Sequence, residues 1–209
     1  MPRTPVRRRA RAALLACAAA LACAPDLASL PVRYVGDLEG LERVRLAPWD
    51  EAYRRPRAHF AALRGVHVAP VAIADDVDTG GVLYRERDLE RVRRRLELAL
   101  AQSLEQAFPI SRAGGSGVLR VEATIVALRS TLPPVPPPGF DASRSRGTGA
   151  AGVQIALRDA RSGKLLMALR DRREAAALPL PATTWADAEW WFRYWSDALR
   201  DLLVRESGG

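Results

Sequence analysis

Few side chains in these 209 residues are of types that do chemistry, and they are thinly spread. Two thiols, Cys17 and Cys23, lie near the N-terminus in Leu14-Leu15-Ala16-Cys17 and Ala20-Leu21-Ala22-Cys23. Each ends a run of small and apolar residues. The two histidines, His59 and His67, have neither a thiol nor a third imidazole nearby, so a zinc site is not expected. Asp76, Asp78 and Gly80 lack the third carboxylate and the bidentate glutamate of a calcium loop. Gly115-Ser116-Gly117 precedes a strand, whereas a serine nucleophile elbow leads from a strand into a helix. Lys164, the single lysine, follows a turn and not a glycine-rich phosphate loop. The expectation is a non-enzymatic chain with no catalytic residues, no metal and no dissociable cofactor.

The segment that positions Cys23 is easier to interpret. Arg3, Arg7, Arg8, Arg9 and Arg11 precede an uncharged run from Ala12 to Ala24, the pattern of an export signal. Pro25 and Asp26 end the run well before the roughly 20 apolar residues that span a bilayer. Cys17 has only five residues between it and Arg11, too short an apolar stretch, so Cys23 is the better acceptor. Ala20-Leu21-Ala22-Cys23 resembles the lipobox of bacterial lipoproteins. That resemblance implies removal of residues 1–22 and acylation of Cys23 by diacylglycerol and an N-linked chain. It further implies an outer-membrane anchor, because Ala24 stands where inner-membrane lipoproteins commonly carry aspartate, with the domain facing the periplasm. Each buried CH2 would contribute about 0.8 kcal/mol to the attachment. The alternative is an ordinary secretory signal cut near Ala22 or Ala24.

Without residues 1–22, 187 residues remain, enough for one domain and a tail. Five of the 32 basic residues leave with the signal, so 27 stand against 24 acids and the formal charge falls from +8 to +3. Arginines interleave with acids, as in Arg85-Glu86-Arg87-Asp88 and Asp171-Arg172-Arg173-Glu174, which predicts solvated faces and no nucleic-acid partner.

Residues 23–63 show no sustained period and are expected to form an acylated tether and a wrapping segment. A domain over 64–206 follows. Val66 to Ile73 is β-rich, with Pro70 marking an edge or bulge. Leu89, Val92, Leu96, Leu100 and Leu104 predict a helix over 86–107, and Val118 to Arg129 alternates as a half-buried strand. Residues 130–149, with Pro133, Pro134, Pro136, Pro137 and Pro138, predict a projecting loop. Val153, Ile155 and Leu157 pair through the turn 159–164 with Leu165, Met167 and Leu169. Thr184-Trp185-Ala186-Asp187 predicts a capping box opening a helix to about Arg205. The expected fold is α+β: a two-layer sandwich of an about four-stranded mixed sheet, in the order strand, helix, strand, strand, strand, helix, with both helices on one face.

Several segments in this order resemble a bacterial lipoprotein family, domain of unknown function 3313. They are Tyr34 with Leu38, Val66-His67-Val68-Ala69-Pro70-Val71, Asp88-Leu89, Val118-Leu119-Arg120-Val121, Asp159-Ala160-Arg161-Ser162-Gly163-Lys164, Asp171-Arg172-Arg173, Trp185-Ala186-Asp187-Ala188, Phe192-Arg193-Tyr194-Trp195 and Leu199. The resemblance implies a lipid-anchored envelope protein and brings no catalytic residues with it.

The last helix carries more aromatics than one core stripe needs. Trp190, Trp191 and Tyr194 are therefore the candidate partner-binding residues, and the expected role is an envelope protein-docking module held at the membrane by its lipid. The alternative is a carrier or sensor of an apolar ligand bound between helices and sheet.

Overall fold

The computed structural model describes residues 38–81, 83–112, 115–130, 149–174 and 185–208. Its elements are β1 (Glu42–Val44), β2 (Glu51–Arg54), β3 (Gly65–Val68), β4 (Ala72–Asp78), α1 (Glu86–Glu105), β5 (Val118–Arg129), β6 (Ala150–Asp159), β7 (Leu165–Glu174) and α2 (Ala186–Ser207). All the strands join one seven-stranded sheet in the order β1-β2-β7-β6-β5-β3, with β4 also paired to β5. β3 and β4 run parallel to β5; every other pairing is antiparallel.

This corrects the expected four-stranded sheet. Pro70 divides the predicted first strand, since proline cannot donate a ladder hydrogen bond, and β3 and β4 lie end to end along β5. β1 and β2 fall in the segment without a period and extend the sheet beyond β7. They are too short, at three and four residues, to show alternation in the sequence.

The core lies on one face of the sheet. Along β5, Leu119, Val121, Ala123 and Ile125 point inward, a bulge intervenes before Ala127, and Leu128 resumes the inward phase. Gly152 of β6 faces that bulge: a Cβ there would sit 3.0 Å from Cβ of Ala127 and 3.2 Å from Cγ2 of Val126. The bulge closes because this residue has no side chain. Val92, Leu96, Leu100 and Leu104 recur every three or four positions on α1 and are all buried. Each contributes about 1.5–3 kcal/mol by leaving water. They meet Phe192, Trp195, Leu199 and Leu202 of α2 in the same core.

Polar contacts fix the helix pair. Ser103 donates to Asp197 at 2.7 Å and Arg200 to Gln106 at 2.9 Å. Glu90 bonds Arg94 at 2.7 Å, one turn along α1, and also pairs with Arg93. The opposite sheet face carries ion pairs instead: Glu122 with Arg120 at 2.9 Å and Arg158 at 3.0 Å, Glu51 with Arg170 at 3.7 Å, and Asp78 with Arg172 at 2.7 Å. α2 begins after Trp185, which makes no side-chain cap bond; Thr184, the predicted capping residue, lies outside the described residues.

Candidate functional site

The inward phase of β7 carries Met167 and Leu169 into the core and then, with unchanged period, Asp171 and Arg173. A strand alternates faces strictly, so two charged groups arrive where apolar ones would pack. Asp171 is fully buried, with 0% exposure, which corrects the expectation that Asp171-Arg172-Arg173-Glu174 forms a solvated face. Its Oδ2 accepts two hydrogen bonds of 2.6 Å, one from Nε1 of Trp195 and one from Nε of Arg173. Arg173 also donates to the Pro48 carbonyl at 2.6 Å, in the loop between β1 and β2. One buried carboxylate thus ties β7 directly to α2 and, through Arg173, to that loop.

Burial is the largest influence on the Asp171 carboxyl and pushes it above the usual aspartate range. The bonds from Arg173 and Trp195 oppose that rise, and the nearby charge of Asp50 adds to it. Arg173 is held above its ordinary value: its own burial is the largest influence and acts against this, but the bond to Asp171 together with the charges of Asp171, Asp50 and Tyr194 outweighs it. Oδ1 of Asp171 and the indole nitrogens of Trp191 and Trp49 are buried without a hydrogen-bond partner.

Above this network the sequence-predicted aromatics come together. Trp190 and Tyr194, one helical turn apart, stack with centroids 5.6 Å apart and planes 11° apart. Trp191 stands edge-on to both, at 4.3 Å and 5.7 Å. The Arg173 guanidinium lies 5.9 Å from the Tyr194 centroid, within cation–π range. Trp190 is exposed at 36%, Trp191 and Tyr194 are half-buried, and Trp185, Phe192 and Trp195 are core. The result is a ladder of partly open rings braced from below by a cation. Flat π-faces with a polar edge suit contact with another surface more than proton or group transfer. Cys23, the predicted lipidation site, lies outside the described residues.

The ladder and the start of the described chain occupy opposite ends of the domain. Glu39 accepts a bond from Arg55 at 2.8 Å, and Arg55 reaches Leu165 at 2.9 Å, at the start of β7. Glu206, near the end of α2, pairs with Arg54 at 2.8 Å at that same end. Arg173 lies eight residues further along β7, about 26 Å away at roughly 3.3 Å per strand residue.

The other candidate groups are engaged locally. His67 meets the Ser111 carbonyl at 3.0 Å. Asp78 accepts from Gly80, Arg129 and Arg172 at 2.7–2.9 Å; burial opposes its charge, yet these donors hold the carboxyl below its usual range. Among the described residues no acid, histidine and thiol cluster could hold a metal, and no helix is long and apolar enough to cross a membrane. Sequence reasoning passed over Asp171, Arg173 and Trp49 as site residues. The available signal was a charged pair continuing the apolar phase of a strand.

Residues 34–199 match the family described as "Protein of unknown function (DUF3313)". The chain belongs to that family. Asp171-Arg172-Arg173 and Phe192-Arg193-Tyr194-Trp195, which meet in the buried network, both fall within the residues that match DUF3313. No curated protein matches this DUF3313 chain significantly. Similar solved structures include a PelC dodecamer from Paraburkholderia phytofirmans, at 13% identity and TM-score 0.44, covering 71% of this chain and 96% of that one. Protein XCC0632 from Xanthomonas campestris shows 13% identity and TM-score 0.39, covering 74% and 91%. Likeness at this level carries no functional inference.

Proposed function

We propose that this DUF3313 chain is a non-enzymatic lipoprotein, anchored in the outer membrane through acylated Cys23, whose periplasmic domain docks a protein of the envelope through Trp190, Trp191 and Tyr194. The observation that carries the docking reading is the partly open ring ladder at the end of the domain remote from Leu38. The described chain begins at the Leu165 end of the domain, which leaves the ladder at the other end open to another protein. Fully extended, the residues from Cys23 to Leu38 reach about 50 Å, which confines the partner to the envelope. The space between helices and sheet, where an apolar cargo would lie, is filled by Leu96, Leu100, Leu104, Phe192, Trp195 and Leu199, each at most 1% exposed. Docking is therefore the better-supported reading.

Replacing Cys23 tests the anchor. The Cys23→Ser protein is expected to leave sedimented envelopes and appear in the soluble periplasmic fraction, and its mature N-terminal peptide to lose the acyl mass. A variant that sediments as wild type does would overturn the anchoring.

A further inference from the structure

The docking ladder rests on Arg173, and Arg173 is held by a carboxylate wholly out of contact with water. Both donors to Asp171 converge on Oδ2, while Oδ1 is buried and bonded to nothing. A carboxylate in that position has one oxygen committed and the other ready to take a proton. Loss of its charge would remove the ion pair with Arg173 and leave a hydrogen bond charge-assisted from the donor side alone, a weaker tie.

We propose that Asp171 and Arg173 form a pH-responsive latch beneath the docking ladder: a proton from solvent on Oδ1 neutralises the carboxyl, leaves Arg173 anchored chiefly by its bond to the Pro48 carbonyl and able to shift from its place against Tyr194, and loosens the Trp190–Tyr194 stack. The proposal rests on the docking reading for its consequence, since it makes the docking surface sensitive to acid.

The surroundings of Asp171 support this device. From β7 it faces the Arg173 cation; from the loop between β1 and β2, Asp50, whose Oδ2 accepts a 2.9 Å bond from the Arg172 amide. From α2 it faces the Trp195 indole N–H and, beyond Arg173, the Tyr194 phenol. From β6 its directly paired neighbour is apolar Val153. One cation therefore holds the charge of Asp171 against burial and a second carboxylate. The direction of the Asp171 shift agrees: it is upward, so the proton binds at milder acidity than it would on an exposed aspartate.

The latch is tested by fluorine NMR of the mature protein carrying 5-fluorotryptophan, with the Trp190 signal assigned through Trp190→Phe and the Trp195 signal through Trp195→Phe. Between pH 7.5 and 4, both resonances are expected to shift together, with a midpoint above the ordinary aspartate value of about 3.9. Asp171→Asn, permanently neutral, is expected to abolish the titration and hold Trp190 at its acid position throughout. Arg173→Gln is expected to place Trp190 there at pH 7.5, while Trp195 still titrates with a raised midpoint because the opposing cation is gone. Wild-type resonances that do not move, or a titration that survives Asp171→Asn, would overturn the latch. Should Asp171→Asn fail to fold, Arg173→Gln decides: a Trp190 signal unchanged at pH 7.5 would overturn it. Docking is read separately, by crosslinking at neutral pH. A titrating ladder that crosslinks to nothing sinks docking alone; a static ladder that crosslinks sinks the latch alone.

Discussion

Asp171 is the residue on which strand, helix and loop converge, and its ionisation couples to folding. Its folded pKa lies above the unfolded one, so its protonated form favours the native state. That contribution is fully present below about pH 3.9 and is lost as pH rises through the folded value. Urea unfolding should therefore show the stability of Asp171→Asn gaining on wild type as pH is raised from about 3.5 to 7. An unchanged difference across that range would contradict the shift. Arg173→Ala has the opposite profile. At pH 7.5 it leaves a buried carboxylate without its cation and should cost about 3 kcal/mol. At pH 4 the cost should shrink, because protonation relieves the unpaired charge. In the sequence, Asp171 and Arg173 look like members of an alternating surface charge run. Only the phase inherited from Met167 and Leu169 distinguishes them, and phase has meaning only once the strand is known to continue.

At the scale of elements, legibility followed length. α1 and β5 could be located because five or more apolar positions repeat with one period, and the spans observed, Glu86–Glu105 and Val118–Arg129, lie within two residues of those expected. β1 and β2 could not, since their place in the sheet is set by pairing with β7 and not by their own pattern. The packed and open sides of α1 should respond very differently to truncation. Leu100→Ala removes a fully buried side chain and is expected to cost 2–5 kcal/mol, whereas Leu98→Ala, 53% exposed, should stay within about 0.5 kcal/mol. The sheet has its own sensitive point. Gly152→Val would drive a side chain into Ala127 and Val126 and is expected to cost roughly 1–3 kcal/mol, with the β5–β6 bulge the first part to lose amide-exchange protection.

The molecule as a whole has polarity: the chain enters the described domain beside Leu165, and the aromatic ladder sits at the far end of β7. The ladder itself was legible as an excess of aromatics on one helix, and DUF3313 membership as an ordered set of short segments. The polarity was not legible, because it depends on how β2 and α2 are placed against β7. The most direct measurement is site-specific photocrosslinking in intact cells, with the photoreactive residue at Trp190 in one protein and at Lys164, on the β6–β7 turn, in another. The account predicts a discrete protein adduct at position 190, lost when Tyr194→Ala is added, and no such adduct at position 164. A protein adduct confined to position 164, or one at 190 indifferent to Tyr194→Ala, would contradict it.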